Sequence, residues 1–506
     1  MAKKQHILAS LRKAEQNIFV PSDLATGVFE ELPQIPHKKK PPEGGVIKLL
    51  VRALLMADSE AVNHFCIRIK NVSRYYPPPS SRNDNLDPPI CTSGRPLKIT
   101  MVLAWPIFNQ KGGAERILCE LSDELLRRGH NVTVLCADKL QGKPAYPVNP
   151  LVRFEHFGGA PLPLSHLKFF RGVRSWRPQK EVRRTLRHFS GLDAAAAKLK
   201  LSAKRFETDV YITFSAYGTY ILKKAIGQTA PVITMFHSTP EFVYGEPLGV
   251  QEAHSNKWDL LKNRSIRDWF DNFLATVASS NIVQVLMPEF VEPTRKALPG
   301  SNVVCIPNPV PQYIEPADLK KHTIINVARI VPLKRQHLIV EAFALLAKRF
   351  PDWTVELWGQ TNDRYCDDVR QLIDKLGLTD RVKICGVTTN IEQKLANASV
   401  LVMASELEGF CLGMVEAMAK GLPVIGCTNC KAVNTIIRDE ENGLLCEDTP
   451  NAMATALSRL MENEELRKRL GTRGREDAKS FAPHLIWDQW ESLLQSVAIE
   501  SSSKVP

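Results

Sequence analysis

Apolar and polar positions fall into alternating blocks along most of the chain. From Leu97 onward, short continuous apolar runs recur: KITMVLAW (98–105), NVTVLCAD (131–138), DVYITFSA (209–216), PVITMFHS (231–238), SNIVQVLM (280–287) and NVVCIPNP (302–309). A run that is apolar at nearly every position reads as a strand covered on both faces, because a half-exposed strand would alternate. Between the first two runs, Ile117, Leu118, Leu121, Leu125 and Leu126 lie on one helical stripe, and Gly129 stands where a helix stops. Strand, helix, strand in that order is the unit of a parallel sheet. QYIEPADLKK (312–321) reads as an exposed linker.

The alternation then restarts. TIINVARI (323–330), WTVELWGQ (353–360), RVKICGV (381–387), SVLVMAS (399–405), LPVIGC (422–427) and NGLLCED (442–448) read as strands. Helices are expected at 336–349, near 364–376, at NIEQKLANA (390–398), and from the loop ELEGFCLG through Lys420. The predicted fold class is α/β. Two doubly wound Rossmann-like domains face a cleft, with strand carboxyl ends turned towards it. The division is residues 1–95, 96–310, 311–482 and 483–506. The last segment carries a helix over 483–497, with Ile486, Trp490, Leu493 and Leu494 on one stripe, expected to cross back to the first domain. Residues 1–95 read as a helical or irregular arm. Proline clusters at 37–45 and 75–89 flank a helically spaced stretch, Val46 to Arg74, and no activity is assigned to it.

Composition narrows the class. Of 506 residues, 44% are hydrophobic and 24% charged, which excludes a disordered, collagen-like or fibrous chain. The formal charge is +12, and it is uneven. Residues 96–205 hold 20 basic and eight acidic side chains, whereas 32 basic and 37 acidic ones follow from 206. A local anionic partner is therefore expected of the first half. No segment reads as a membrane span, and the N-terminal MAKKQHILASLRKAEQ lacks a signal peptide's apolar core, so a cytoplasmic location is expected. Eleven scattered cysteines read as reduced thiols.

The strongest chemical constellation is Glu408-Gly-Phe-Cys-Leu-Gly-Met-Val-Glu416. Eight positions on a helix span roughly 12 Å. That is too far for a glycosidase pair, which needs roughly 5 to 9.5 Å. It suits a long ligand with a polyol group near each end; an ordinary capped helix is the plainer reading. The helix start around Cys411 to Met414 offers unpaired amides and a positive dipole end, so a phosphate fits there. Arg329 and Lys334, just past a strand, can clamp a diphosphate through a fork and a point charge, or simply be a solvated loop pair. Gly112-Gly113 admits close backbone approach to phosphate, or makes a plain turn. Its spacing is neither GxGxxG nor GxxxxGK[ST]. His237 ends an apolar strand, a place more often structural. No Asp-x-Asp pair is present. Cys427-x-x-Cys430 lacks a second set of ligands and reads as two free thiols. HLKFFRGVRSWRPQKEVRRTLRH (166–188) carries Lys168, Arg171, Arg174, Arg177, Arg183, Arg184 and Arg187, with Trp176 among them. It suits an anionic membrane surface or acceptor better than nucleic acid, for which no motif is present; a solvated helix face is the plain alternative.

GGAER (112–116), His237, IPNP (306–309), ARIVPLK (328–334), ASELEGFCLGMVEAMAKGLPVIG (404–426) and NGLL (442–445), taken in order, resemble the family 4 retaining glycosyltransferases of the GT-B fold, over residues 97–497. The resemblance implies a hexosyltransferase that moves a sugar from a UDP- or GDP-linked donor to a glycan or lipid-linked acceptor held by the first domain. It implies roles for Arg329 and Lys334 at the donor diphosphate, Glu408 at the donor sugar and Glu416 at the ribose. It puts the amides of Phe410, Cys411 and Leu412 at phosphate or sugar oxygens, Gly112 and Gly113 beside donor and acceptor, and His237 near the donor sugar. It implies neither cofactor nor metal, the two cations standing in for Mg²⁺. Family habit points to bacterial lipopolysaccharide, capsule or other envelope polysaccharide assembly, with the protein peripheral on the inner face of the cytoplasmic membrane. The family often carries a glutamate before its NGLL segment; here CTNCKAVNTII puts Asn434 at that place. The alternatives are an inactive sugar-nucleotide-binding partner subunit, or a GT-B phosphorylase or epimerase.

Overall fold

The computed structural model describes residues 94–105, 107–108, 112–137, 144–157, 178–203, 205–227, 230–240, 260–361 and 363–502. The chain divides into two units, Met1–Asp87 and Pro88–Pro506. The first, with its expected helix, lies outside the described residues.

In the second unit the apolar runs form strands, and their pairing builds two sheets. The first holds β1 (Lys98–Leu103), β2 (Asn131–Cys136), β3 (Arg153–His156), β4 (Val210–Thr213), β5 (Val232–Met235), β6 (Ile282–Val285) and β7 (Val303–Cys305). Their order is β3-β2-β1-β4-β5-β6-β7, and every pairing is parallel. The helices of this lobe are α1 (Gly113–Arg127), α2 (Pro178–Ala203), α3 (Ala216–Ile226), α4 (Arg264–Ala278) and α5 (Val291–Ala297). Helix α1 buries Ile117, Leu118, Leu121 and Leu125, the stripe its spacing predicts. β3 is the departure: RFEH is polar and only half-buried at the sheet edge, so no apolar run announces it.

The second sheet holds β8 (Thr323–Val327), β9 (Thr354–Trp358), β10 (Val382–Gly386), β11 (Val400–Met403), β12 (Val424–Cys427) and β13 (Leu444–Cys446), ordered β10-β9-β8-β11-β12-β13 and again all parallel. Around it lie α6 (Gln336–Leu346), α7 (Arg364–Lys375), α8 (Ile391–Ala396), α9 (Leu412–Ala419), α10 (Lys431–Ile436), α11 (Pro450–Glu462) and α12 (Glu464–Ala478). In each sheet the strand order reverses beside the first strand, at β1/β4 and at β8/β11. Loops leaving the carboxyl ends there diverge and open a crevice. The Gly112–Gly113 turn follows β1, the 328–335 loop follows β8, and the 404–411 loop follows β11, so the topology alone brings the candidate segments to these two points.

The stretch expected as an exposed linker lies along the second lobe instead. The Ala317 and Asp318 amides donate to the carbonyls of Lys420 and Ala396, at 2.7 and 3.1 Å. The final helix, α13 (Pro483–Ser502), crosses back. Ile486, Trp490 and Leu494 are buried in one core with Leu97, Ile99 and Val210 of the first lobe.

Candidate active site

The 328–335 loop is held from beneath. Buried Asn326, near the end of β8, donates to the Val402 carbonyl at 2.8 Å, and buried Gln336, at the start of α6, donates to the Arg329 carbonyl at 2.9 Å. This leaves the Arg329 side chain exposed, with no carboxylate partner among the described residues. Lys334 ends a single 3-10 turn, Pro332–Lys334. Its ammonium lies 2.6 Å from Glu408 Oε1 and donates to the Leu407 carbonyl at 3.0 Å. Ser405 donates to the same Glu408 oxygen at 2.7 Å. Glu408 is therefore an oriented carboxylate with a cation and a hydroxyl on one oxygen.

Helix α9 starts without a capping side chain, and its N-cap Cys411 adopts the left-handed conformation at φ 65°. Left-handed backbone is uncommon for a non-glycine residue, and here it turns the chain sharply from the Glu408 loop into the helix. The Cys411 thiol is buried, and burial pushes its pKa well up, so it stays a neutral thiol. The Met414 amide already bonds the Cys411 carbonyl at 3.0 Å, which leaves those of Leu412 and Gly413 to take an anion.

The two lobes meet across this start. A Cβ on Gly409 would fall 2.6 Å from the His237 carbonyl oxygen, so only glycine allows the 404–411 loop to lie against the end of β5. Gly113, at the start of α1, comes within 3.1 Å of Leu412 by the same measure. The His237 ring stacks on Phe214, with centroids 5.1 Å apart and planes 6° from parallel. Its Nε2 is buried without a partner, and burial pushes its pKa down to about 4. The ring is a neutral imidazole with one unused polar atom.

Glu416 lies about one turn further along α9 and is 4% exposed. Its carboxylate is bonded by Arg116 of α1, which also reaches Glu120 on its own helix at 2.6 Å. Burial lifts the Glu416 carboxyl above the usual range, and the Arg116 guanidinium pulls against it. The GGAER motif assigns a role only to its glycines; Arg116 closes that motif, on the first turn of α1. A second bridge joins the lobes where Thr435 of α10 donates to Glu289, which precedes α5.

The remaining candidates separate. Phe410 is a core residue whose ring packs edge-on against Phe481 at 5.1 Å; only its amide is available to a ligand. Asn434 turns its amide to the Thr428 carbonyl, and the neighbouring Thr435 faces the other lobe. Cys427 and Cys430 are buried free thiols, and Cys427 stands beside Cys446 on the next strand. Among the described residues no group of three or more His, Cys, Asp or Glu is placed to hold a metal ion. Arg183 and Arg187 are exposed one turn apart on α2. Lys168, Arg171, Arg174, Trp176 and Arg177, and the side chain of Arg184, lie outside the described residues. No helix among the described residues is long and apolar enough to cross a membrane.

Two parallel doubly wound lobes, with the loops of both switch points converging on one crevice, define the GT-B architecture. Comparison supports it. Sucrose-phosphate synthase from Thermosynechococcus elongatus superposes with a TM-score of 0.62 over 79% of this chain and 99% of its own, at 18% identity. Anabaena HepE, solved with UDP and glucose, superposes with a TM-score of 0.57 over 79% and 100%, at 18% identity. Residues 111–311 match the model for Glycosyltransferase Family 4, and residues 313–477 match that for Glycosyl transferases group 1. The chain belongs to the family 4 glycosyltransferases. It is 28% identical over 78% of its length to an exopolysaccharide phosphotransferase from Streptomyces coelicolor, of which the match covers 40%. It is 26% identical over 60% of its length to N-acetyl-alpha-D-glucosaminyl L-malate synthase from Bacillus anthracis, of which the match covers 79%.

Proposed function

We propose that this protein is a metal-independent, retaining glycosyltransferase that moves a sugar from a UDP- or GDP-linked donor to a glycan or lipid-linked acceptor. The carrying observation is the group formed by Lys334, Glu408, Ser405 and the uncapped start of α9, with the exposed Arg329 on the same loop. Negative charge builds on the diphosphate as the sugar departs. Lys334, held by Glu408 and the Leu407 carbonyl, and the helix start meet that charge without reorganising, and Arg329 on the same loop adds a second cation. Glu408, oriented by Lys334 and Ser405, is set to accept from donor-sugar hydroxyls, and Glu416 from the ribose.

The proton balance of this reading is compatible with the same geometry. A base with a pKa of about 4, as burial gives His237, is weak at neutral pH, and Glu408 is committed to a cation. The departing phosphate, with a pKa of about 6, is the strongest base at hand. In the reading that the family resemblance carries, it takes the acceptor's proton on the face it leaves from, and the sugar keeps its configuration. The unpartnered Nε2 of His237 is left to bond a donor hydroxyl.

The relatives' names support the envelope reading. They include a lipopolysaccharide core biosynthesis glycosyltransferase from Rhizobium meliloti and an N-acetylgalactosaminyltransferase acting on a diphospho-undecaprenol from Campylobacter jejuni. The acceptor half, with Arg183 and Arg187 on α2, is set against an anionic lipid or acceptor phosphate on the inner face of the cytoplasmic membrane. The test is incubation of the full chain with a panel of UDP- and GDP-sugars, reading free nucleotide. Slow hydrolysis of one donor, lost in Glu408→Ala, is expected. Donor binding with no turnover on any donor or acceptor would instead assign an inactive partner subunit.

A further inference from the structure

Arg116 has no part in the chemistry above, yet it makes the most buried ion pair between the lobes among the described residues. It stands on the first turn of α1 in the first lobe and reaches Glu416 on α9 in the second. The arginine is 18% exposed and the glutamate 4%. Tyr146 and Tyr313 flank the pair closely enough to feel both charges, and burial pushes the Tyr146 phenol up to about 12. The carboxylate is thus shut behind a side chain of the opposite lobe. A nucleotide whose ribose docks on Glu416 must first displace that side chain.

Glu120 makes the displacement feasible. It holds the other edge of the guanidinium at 2.6 Å, one turn along α1. When Arg116 leaves Glu416 it keeps a carboxylate, and Glu416 exchanges a guanidinium for hydroxyl donors. Neither buried charge is stranded, which is the expensive outcome when one member of a buried pair is lost.

We propose that Arg116 is a positioning residue that locks the lobes through Glu416 in the nucleotide-free protein and competes with the nucleotide for that carboxylate. The competition rests on the reading of Glu416 as a ribose ligand; the lock does not. The full chain, as wild type, Arg116→Met, and the reversed pair Arg116→Glu with Glu416→Arg, is measured by small-angle X-ray scattering without nucleotide. UDP affinity is measured by calorimetry on wild type, Arg116→Met and Glu416→Ala. The lobes are expected to separate in Arg116→Met and to close again in the reversed pair, a rescue that loss of packing alone does not give. UDP is expected to bind about five- to twentyfold more tightly to Arg116→Met and more weakly to Glu416→Ala. Arg116→Lys keeps the charge but lacks the fork that serves two carboxylates, and it should tighten UDP binding about two- to fivefold should the methionine variant fail to fold. Scattering and UDP affinity both unchanged in Arg116→Met and in Arg116→Lys would overturn the proposal. Separation of the lobes with UDP affinity unmoved in both Arg116→Met and Glu416→Ala would reject the ribose reading, and the competition with it.

Discussion

A neutral histidine at the end of β5 ties pH to stability. His237 has an ordinary pKa of 6.5 that burial pushes down to about 4. Between those values the unfolded chain binds a proton at this position and the folded chain does not, so stability falls as pH drops from 6.5 to 4 and levels below. The full effect is about 3 kcal/mol at most. His237→Asn should flatten the Tm against pH curve in that window; an unchanged slope would assign the acid sensitivity to other groups. At the donor end, Arg329→Ala with Lys334→Ala should lower turnover by about 100-fold or more, as loss of a preorganised charge partner does, in a chain whose circular dichroism spectrum still matches that of the wild type. Lys334, Glu408 and the glycine turn were readable in advance because each sits at a strand's carboxyl end, where residue type and position imply use. Arg116 closes the GGAER motif, but its contact was not readable. Its partner is 300 positions away, and only the closed tertiary structure brings them together.

At the scale of elements, α9 is set by a close approach. A Cβ on Gly413 would lie 2.7 Å from the Val327 carbonyl oxygen at the end of β8. That backbone oxygen cannot move aside as a flexible side chain would. Gly413→Ala should destabilise the second lobe by about 1 to 3 kcal/mol, seen as a lower urea midpoint with an unchanged slope. It should also shift the uncapped helix start away from Lys334. The same burial made these elements legible: β11 is apolar throughout and β1 and β8 are mostly so because helices cover both faces, so their runs stand out against any polar loop. β3 escaped because it is an edge strand of four residues with Arg153, Glu155 and His156 among them. Helix α2 escaped for a related reason. Its first turns fall in the basic segment, where charge density conceals the apolar positions that its later turns bury at Leu192, Ala195, Ala196 and Leu199.

At the scale of the whole molecule, the chain crosses between lobes at two neighbouring places. Val310 bonds the Phe481 carbonyl at 2.8 Å, and Gln312 bonds that of Ala478 at 3.2 Å, which ties the outgoing linker to the returning strand of chain. α13 then docks on the first lobe, with Trp490 2% exposed. Two polar contacts fix its register: Arg128 to Asp488 at 2.7 Å, and His130 to Glu491 at 2.8 Å. The His130 Nδ1 accepts from the Leu97 amide at 3.0 Å, so its Nε2 carries the proton towards Glu491. The docked helix therefore completes the core of a lobe whose other elements run from Lys98 to Cys305, far earlier in the chain. Trp490→Ala removes the largest side chain of that contact and should cost about 3 to 5 kcal/mol. The cost belongs to the first lobe alone, because α13 contributes to its core and not to the second sheet's. Calorimetry should show the first-lobe transition moving to lower temperature and separating from that of the second lobe. A single transition that shifts as a whole would mean that the lobes unfold as one unit, and that the cleft contacts, not α13, set the cooperativity of the molecule.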